Sequence, residues 1–232
     1  MSVMKKYGRK FEIFKALLAK EDPVIVEIGA HFGEDSMRFC EVFKNATLHC
    51  IEPDPRCAKI FKKHVKNSNV KFYEIALSSE NGRMKFYQSH HPDQIKTPEK
   101  YDWITDSDYE NYRLGNSGSS SLKKGYRHLL SEPIEVEVAR FDTWANQNKI
   151  DKIDLAWIDV QGAERGVLLG MGQDINKIKH IWIEYGEKDY EDAMSREQTM
   201  SLIKSKGYEL IDSISSFSEC GDLMFRKLGQ EV

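Results

Sequence analysis

Short apolar runs alternate with amphipathic segments along much of the 232-residue chain. Runs of about four to eight apolar residues predict buried strands, and apolar positions at helical spacing predict helices between them. Because the two kinds of segment alternate, the pattern predicts an α/β fold with parallel strands. The predicted strands are 24–28, 47–51, 70–75, 84–87, 134–138, 153–158, 181–183, 208–211 and 223–225, and the last two are expected to form an antiparallel pair.

An amphipathic helix is predicted within residues 5–20, where Phe11, Phe14 and Leu18 share one face. Farther along, residues 76–78 lead through the turn Glu80-Asn81-Gly82 into the strand 84–87, a pattern typical of a β-hairpin. The chain length is within reach of one α/β domain, so we expect residues 1–232 to form a single domain.

The regular pattern breaks in an insertion between residues 88 and 133. This stretch holds four of the ten tyrosines and the run Gly118-Ser119-Ser120-Ser121, and its aromatic content argues against plain disorder. Long segments with little regular structure inside a compact domain are usually lids, binding loops or linkers. We therefore expect the insertion to select the substrate.

The segment from Val24 to Ser36 predicts a strand, a glycine turn and the start of a helix. Its pattern is Glu27-x-Gly29-x-x-x-Gly33, which differs from the Gly-x-Gly-x-x-Gly of a dinucleotide site. Main-chain N–H groups and glycines in such a turn let a polar ligand approach closely. A carboxylate there would repel pyrophosphate and favour a cationic cofactor, such as S-adenosylmethionine with its sulfonium and ammonium groups.

Four acids stand at the ends of predicted strands: Glu27, Glu52, Asp159 and Glu184. Because the carboxyl ends of parallel strands meet at one edge of a sheet, we expect these side chains to converge there. Glu52 follows the second strand and is placed to accept hydrogen bonds from both hydroxyls of a ribose. The alternative is that such acids lie on the surface or cap the next helix.

Composition narrows the functional classes. A net charge of −3 disfavours a nucleic-acid partner, and no apolar run approaches the ~20 residues of a membrane helix, so no membrane partner is expected. The basic N-terminus lacks the apolar stretch of a secretion signal. Four cysteines without metal-ligand spacing are typical of reduced thiols, so we expect a cytoplasmic protein.

Six sequence blocks, in this order along residues 24–184, resemble the FkbM family of S-adenosylmethionine-dependent methyltransferases. They are Val-Glu-Ile-Gly-Ala-His-Phe-Gly, Ile-Glu-Pro-Asp-Pro, Ile-Ala-Leu-Ser, Gly-Ser-Ser-Ser-Leu, Phe-Asp-Thr-Trp and Ile-Asp-Val-Gln-Gly-Ala-Glu. The resemblance implies the class I (Rossmann-like) methyltransferase fold, a seven-stranded mostly parallel sheet with an antiparallel last strand and helices on both faces. It also implies O-methylation of a sugar, a glycan or a glycosylated small molecule. One departure is Gln161, where the family usually has glutamate, and we assign that position no role from the sequence.

The glycine loop and the resemblance together predict the cofactor contacts. The residues are Glu27, Gly29, Ala30, His31, Gly33, Ser36, Glu52, Pro53, Ala76 and Asp159. Methyl transfer is an in-line displacement in which the protein positions donor and acceptor and removes a hydroxyl proton. Asp159, Glu184 and His31 are the candidate bases. Each has a structural alternative, because acids at strand ends cap helices and loop histidines often serve only as hydrogen-bonding groups.

Hydroxyl groups and aromatic faces suit a carbohydrate acceptor, and the candidates are Tyr101, Trp103, Ser119, Ser120, Ser121 and Tyr185. The alternative for the serines is a flexible linker. A divalent metal such as Mg²⁺, held by Asp159 and Glu184, would suit a sugar diol and stays open. Two other functions also stay open: a binding module without catalysis that uses the insertion, and a methyltransferase that acts on RNA.

Overall fold

The structure is a computed structural model, and it describes residues 8–91, 101–125, 132–186, 188–217 and 220–229. Within these ranges the helices are α1 (Arg9–Leu18), α2 (Glu34–Val42), α3 (Pro55–His64), α4 (Asp106–Asn111), α5 (Phe141–Gln147), α6 (Glu164–Gly170) and α7 (Arg196–Lys204). The strands are β1 (Val24–Ile28), β2 (Thr47–Ile51), β3 (Val70–Tyr73), β4 (Ala76–Ser78), β5 (Gly82–Phe86), β6 (Ile134–Arg140), β7 (Ile153–Ile158), β8 (Ile178–Gly186), β9 (Tyr208–Phe217) and β10 (Cys220–Lys227).

Seven of the strands form one sheet in the order β3-β2-β1-β7-β8-β10-β9. Five neighbouring strands run parallel, namely β3, β2, β1, β7 and β8. The next strand, β10, pairs antiparallel with both β8 and β9. The predicted mostly parallel sheet with an antiparallel last strand is therefore confirmed. Because β1 and β7 lie side by side at its centre, their carboxyl ends meet beside the glycine turn.

Helices cover both faces of this sheet, as predicted. On one face α1, α2 and α3 pack with Phe14, Phe39 and Phe61 against β-strand residues such as Trp157. On the other face α5, α6 and α7 contribute a second apolar core that includes Ala156. Neighbouring residues of β7 thus point to opposite cores, which explains why this parallel strand is an unbroken apolar run.

The predicted hairpin is wrong. β4 and β5 belong to a small second sheet of order β4-β6-β5, so β6 lies between the two segments expected to pair with each other. Val138 of β6 pairs in parallel with Ala76 and antiparallel with Gly82. The buried side chains of Val136 and Val138 give β6 an apolar face, which stabilises a central strand better than an isolated two-stranded hairpin.

The two irregular regions named from the sequence are described only in part. The N-terminal helix predicted for 5–20 begins at Arg9, and residues 5–7 lie outside the described ranges. In the insertion of residues 88–133, positions 92–100 and 126–131 lie outside them as well. The described part of the insertion contains α4 and a 3-10 turn at Ser117–Ser119.

Candidate active site

The glycine turn after β1 is held between the ends of β2 and β7. The main-chain N–H groups of Gly29 and Ala30 both donate to the Ile51 carbonyl oxygen, at 3.0 and 2.9 Å. Gly29 has a φ of +94°, and a Cβ there would lie 1.8 Å from the main-chain oxygen of Asp159. Only glycine meets both the conformational and the steric demand at this position.

Glu27 and Ser36 lie directly beneath the turn. Both are buried, and the Ser36 hydroxyl donates to Glu27 Oε2. Burial raises the pKa of Glu27 well above its usual value, and the nearby Asp35 carboxylate raises it further. A cation entering this space would favour the charged form of Glu27.

Glu52, at the end of β2, is fixed by two main-chain donors. The His31 N–H donates to Oε2 at 2.9 Å, and the Asp54 N–H donates to Oε1 at 2.7 Å. Burial, followed by the charge of Asp54, raises the pKa of Glu52 to about 7. Its two oxygens therefore have a set position, which an adjacent diol could address.

A first cavity of about 170 Å³ opens over these residues. It is lined by eight of the ten predicted cofactor residues, namely Glu27, Gly29, Ala30, His31, Glu52, Pro53, Ala76 and Asp159. Gly33 and Ser36 do not line it. A Cβ on Gly33 would lie 2.4 Å from Val65 Cγ2, so this glycine serves the packing of α2 against α3.

The insertion also lines the first cavity, which the sequence did not predict. Five of its residues, Ser117, Gly118, Ser120, Ser121 and Leu122, contribute to the lining. The ends of strands β1 to β3 therefore do not line the first cavity alone. Ser120 and Ser121, predicted as acceptor residues, lie in this lining.

A second cavity, of about 440 Å³, lies next to the first and is lined mostly by the insertion. Tyr101, Tyr109, Asn116 and Ser119 line the second cavity only. The two cavities share five residues, which we call the shared wall: His31, Glu34, Ser117, Gly118 and Gln161. A group bound in one cavity would thus face a group bound in the other across this wall.

His31 connects the glycine turn to the insertion. Its Nδ1 lies 2.9 Å from Glu34 Oε1, and its Nε2 lies 2.9 Å from Ser117 Oγ. The Tyr101 hydroxyl donates to the same Glu34 oxygen, also at 2.9 Å. Burial is the largest single effect and lowers the pKa of His31, but the charge and hydrogen bond of Glu34 and the charges of Glu52 and Asp54 together outweigh it, and the net shift is upward.

Arg56, at the start of α3, holds the insertion in place and was missed by sequence reasoning. Its guanidinium pairs with Asp54 at 2.6 Å and donates to the carbonyl oxygens of Ser89 and Arg113 and to Ser120 Oγ. Its side chain is only 11% exposed. No sequence signal marks it, because its partners are up to 64 positions away.

The predicted acids Asp159 and Glu184 lie together, with Gln161 between them. The Gln161 Nε2 group donates to Asp159 Oδ1 at 2.6 Å and to Glu184 Oε2 at 2.8 Å. Tyr190 donates from its hydroxyl to Gln161 Oε1 at 2.9 Å. Burial, followed by the charge of the neighbouring Asp159, raises the pKa of Glu184 strongly, so Glu184 holds a proton at neutral pH.

This arrangement does not fit a divalent metal on Asp159 and Glu184. The space between the two carboxyl groups is taken by an amide nitrogen, whose N–H groups donate hydrogen bonds and cannot serve as ligands. Among the described residues, no group of three or more His, Cys, Asp or Glu side chains has the arrangement of a metal site.

Two predicted acceptor residues lie elsewhere. Tyr185 is 4% exposed and packs in the core beside Ile183, because alternate residues of β8 face opposite sides of the sheet. Trp103 packs against the rings of His64 and Tyr101 and lines neither cavity.

Glu164 accepts from the N–H groups of Gly162 and Val160 and so supports the turn that carries Gln161.

Comparison with known proteins agrees with this geometry. Residues 27–210 match the family model described as the methyltransferase FkbM domain. The chain belongs to this family. It is therefore an S-adenosylmethionine-dependent methyltransferase. The seven-stranded, mostly parallel sheet found here is the one the resemblance implied.

Among its relatives, the 2-O-methyltransferase NoeI of Sinorhizobium fredii is 32% identical over 220 residues, which cover 91% of this chain and 82% of that protein. The crystal structure of methyltransferase FkbM from Methylobacillus flagellatus KT has a TM-score of 0.52 at 14% identity, with coverage of 88% of this chain and 44% of that one. Fibrillarin from Aeropyrum pernix, solved with S-adenosyl-L-methionine, also has a TM-score of 0.52, at 10% identity, covering 93% of this chain and 73% of that one. Both structures support the fold.

No helix in the described ranges has the length and apolar character needed to cross a bilayer.

Proposed function

We propose that this FkbM-family enzyme transfers a methyl group from S-adenosylmethionine in the first cavity to a hydroxyl group of a sugar, a glycan or a glycosylated small molecule in the second. The observation that carries this proposal is the shared wall, the set of residues at which two cavities of different character adjoin. Methyl transfer needs donor and acceptor side by side, with the reacting atoms in line.

The charges of the first cavity support a cationic cofactor. Among the described residues that line it, five are acids, Glu27, Glu34, Asp35, Glu52 and Asp159, and none is a lysine or an arginine. Such a surface favours a sulfonium and an ammonium group and disfavours a pyrophosphate. Glu52 would accept hydrogen bonds from the ribose hydroxyls, and Gly29 would let the cofactor lie close to the main chain.

For the base, the surroundings of the candidates favour Asp159. Asp159 lines the first cavity next to Gln161, which also lines the second. The strongly raised pKa of Glu184 keeps that carboxyl group protonated and unable to accept a proton, and both ring nitrogens of His31 already have partners. In the reaction the acceptor oxygen forms a bond to the methyl carbon while the carbon–sulfur bond breaks. The electron pair goes to sulfur, and Asp159 takes the hydroxyl proton.

The second cavity supports a polyhydroxylated acceptor. Hydroxyl and amide groups of Tyr101, Asn116, Ser117 and Ser119 line it beside the aromatic ring of Tyr109. This mixture of polar groups and aromatic faces suits a sugar ring. The 2-O-methyltransferase name of the relative NoeI agrees with a hydroxyl acceptor.

The test uses S-adenosylmethionine with a labelled methyl group and a panel of free sugars, glycosides and oligosaccharides, with RNA as a further acceptor. We expect a sugar methyl ether to form, with a loss of about 100-fold or more in kcat for Asp159→Asn. The control Asp151→Asn, at an exposed position, should retain activity. Label found in RNA, or in amines and no sugar, would refute the acceptor class.

A further inference from the structure

We propose that Gln161 is the positioning residue of the acid pair: its side-chain amide takes the place that a divalent cation would occupy between Asp159 and Glu184, so methyl transfer by this chain does not depend on such a cation. The inference rests on the proposed function for the role of Asp159. It concerns a residue for which the sequence suggested no role.

The donor count of the amide matches the two carboxyl groups. A glutamine NH₂ group has two hydrogens, and one is directed to Asp159 at 2.6 Å and the other to Glu184 at 2.8 Å. Like a bridging cation, the group satisfies both carboxyl groups at once. Unlike a cation, the amide adds no charge.

The opposite end of the amide is also fixed. Gln161 Oε1 accepts from the Tyr190 hydroxyl at 2.9 Å, and the same hydroxyl lies 3.1 Å from the Ser119 carbonyl oxygen. With its oxygen facing the Tyr190 hydroxyl, the amide directs its nitrogen at the two acids. The acid pair is thereby connected to the insertion that lines the second cavity.

The main chain holds Gln161 in an uncommon conformation for this purpose. Its φ is +55°, in the left-handed region that non-glycine residues rarely adopt. The following Gly162 also has a positive φ, and its N–H donates to the buried Glu164 at 3.0 Å. This turn places the side chain between strand ends β7 and β8, where it lines both cavities.

Replacing the Gln161 amide with a carboxylate of the same shape would make a cation favourable between the acids. In Gln161→Glu, three carboxyl groups would meet within hydrogen-bonding distance, and two of them would lose their donors. Their repulsion would be relieved by a hard cation with oxygen ligands, such as Mg²⁺ or Mn²⁺. A single substitution should therefore convert a site that ignores divalent cations into one that needs them.

The test compares the full-length wild type, Gln161→Glu and the control Gln147→Glu, which adds the same charge at the exposed end of α5. Mn²⁺ binding is followed by electron paramagnetic resonance, and methyl transfer is measured with a chelator and with added Mg²⁺. We expect the wild type and Gln147→Glu to be insensitive to the chelator. Gln161→Glu should bind Mn²⁺ at least about tenfold more tightly than both and should require a divalent cation for activity.

Wild-type activity that falls in the chelator and returns with Mg²⁺ would overturn the proposal, as would equal Mn²⁺ affinity of wild type and Gln161→Glu. If Gln161→Glu does not fold, Gln161→Met replaces it, because methionine has similar length but donates no hydrogen bond. That variant should lose about tenfold in kcat with KM for both substrates within about threefold. Unchanged kcat in Gln161→Met would refute the positioning role. Mn²⁺ binding needs no acceptor, so its outcome is independent of whether the sugar assignment holds.

Discussion

The two cavities of this enzyme are built in different ways. The first is lined in large part by the carboxyl ends of β1, β2 and β7, which are joined by main-chain hydrogen bonds such as those from Gly29 and Ala30 to Ile51. The second is lined mostly by the insertion. Main-chain hydrogen bonds join the insertion to the rest of the chain at Ser121 and Lys124, whereas its part that lines the second cavity is contacted by the side chains of Arg56, His31 and Tyr190. A main-chain framework tolerates side-chain changes, whereas a framework of side chains depends on each residue that builds it.

Apolar packing also differs between the two. The glycine turn lies on the large cores of the seven-stranded sheet. The insertion rests on a small cluster in which Ile104, Tyr109 and Leu114 contact Phe32 and Ile60. Because few buried side chains hold it, we expect the second cavity to be the more easily disturbed by substitution.

The largest expected effect comes from a substitution that the main chain of the first cavity has no room for. In Gly29→Ala the new Cβ would meet the Asp159 carbonyl oxygen at 1.8 Å in a left-handed backbone conformation. We expect a loss of about 3 kcal/mol or more in the free energy of unfolding, together with loss of cofactor binding. Chemical denaturation and titration calorimetry measure both. Gly186→Ala, whose Cβ would approach no atom closer than Cys220 Cβ at 3.9 Å, is the control; equal behaviour of the two variants would contradict the account.

The buried acids around the first cavity predict a pH dependence of stability. Burial raises the pKa values of Glu52 and Glu164 to about 7, above the ordinary value of 4.5 that they regain on unfolding. The folded chain therefore binds more protons than the unfolded chain above pH 4.5, and its stability falls as pH rises through 7. As pH rises from 6.5 to 8, each of the two groups should lower the free energy of unfolding by about 1 kcal/mol. Denaturation curves at constant ionic strength that show equal or greater stability at pH 8 would contradict this.

Arg56→Lys should disturb the second cavity more than the first. Lysine keeps the positive charge beside Asp54 but cannot donate at the same time to Ser89, Arg113 and Ser120. We expect kcat/KM for the acceptor to fall about 10- to 50-fold, or roughly 1.4 to 2.3 kcal/mol, with cofactor affinity changed less. Exposed Arg165→Lys serves as the control. A larger loss in cofactor affinity than in acceptor kcat/KM would remove the distinction between the cavities.

Glu52→Gln should produce the opposite pattern. One of the two main-chain donors, the N–H of His31 or of Asp54, would then face an amide NH₂ group instead of an acceptor. We expect cofactor affinity to fall about tenfold, close to 1.4 kcal/mol, with little change in KM for the acceptor. Calorimetry on this variant and on exposed Glu137→Gln would show the difference. Cofactor affinity equal in both variants would speak against the ribose contact.

The smallest effect is expected for Tyr190→Phe. The change removes the hydroxyl that joins Gln161 to the Ser119 carbonyl but keeps the ring that packs against Gly162. One neutral hydrogen bond is worth about 1 kcal/mol, so kcat should fall about fivefold. Tyr112→Phe, which also loses only a hydroxyl, should show no change in steady-state assays, and a similar fall in both would argue against the link.

This contrast also explains what the sequence could predict. Strand ends converge because the sheet topology requires it, so Glu27, Glu52, Asp159 and Glu184 could be placed from apolar runs alone. Gln161 could be seen as a departure from the family but not as a donor to two acids. The link from Tyr190 to Ser119 joins residues 71 positions apart, and no periodicity marks such a contact.

The prediction of a hairpin was wrong for a related reason. Residues 76–86 have the turn and strand signals of a hairpin, but β6, which separates the two segments, comes from beyond the insertion. Local signals could not show that a strand some fifty residues later would pair with both. The prediction placed Tyr185 in the acceptor site, whereas its side chain lies in the core. Successive residues of a strand point to opposite faces of the sheet, so a shift of one residue in register reverses the face that a side chain occupies.

The most direct test of the two-cavity account is a crystal structure of the chain with S-adenosylhomocysteine, the demethylated cofactor. We expect the ribose hydroxyls to contact Glu52 and the cofactor to lie against Gly29. Its sulfur should face the shared wall beside Asp159 and Gln161. A cofactor bound with its ribose away from Glu52, or with its sulfur directed away from the second cavity, would contradict it.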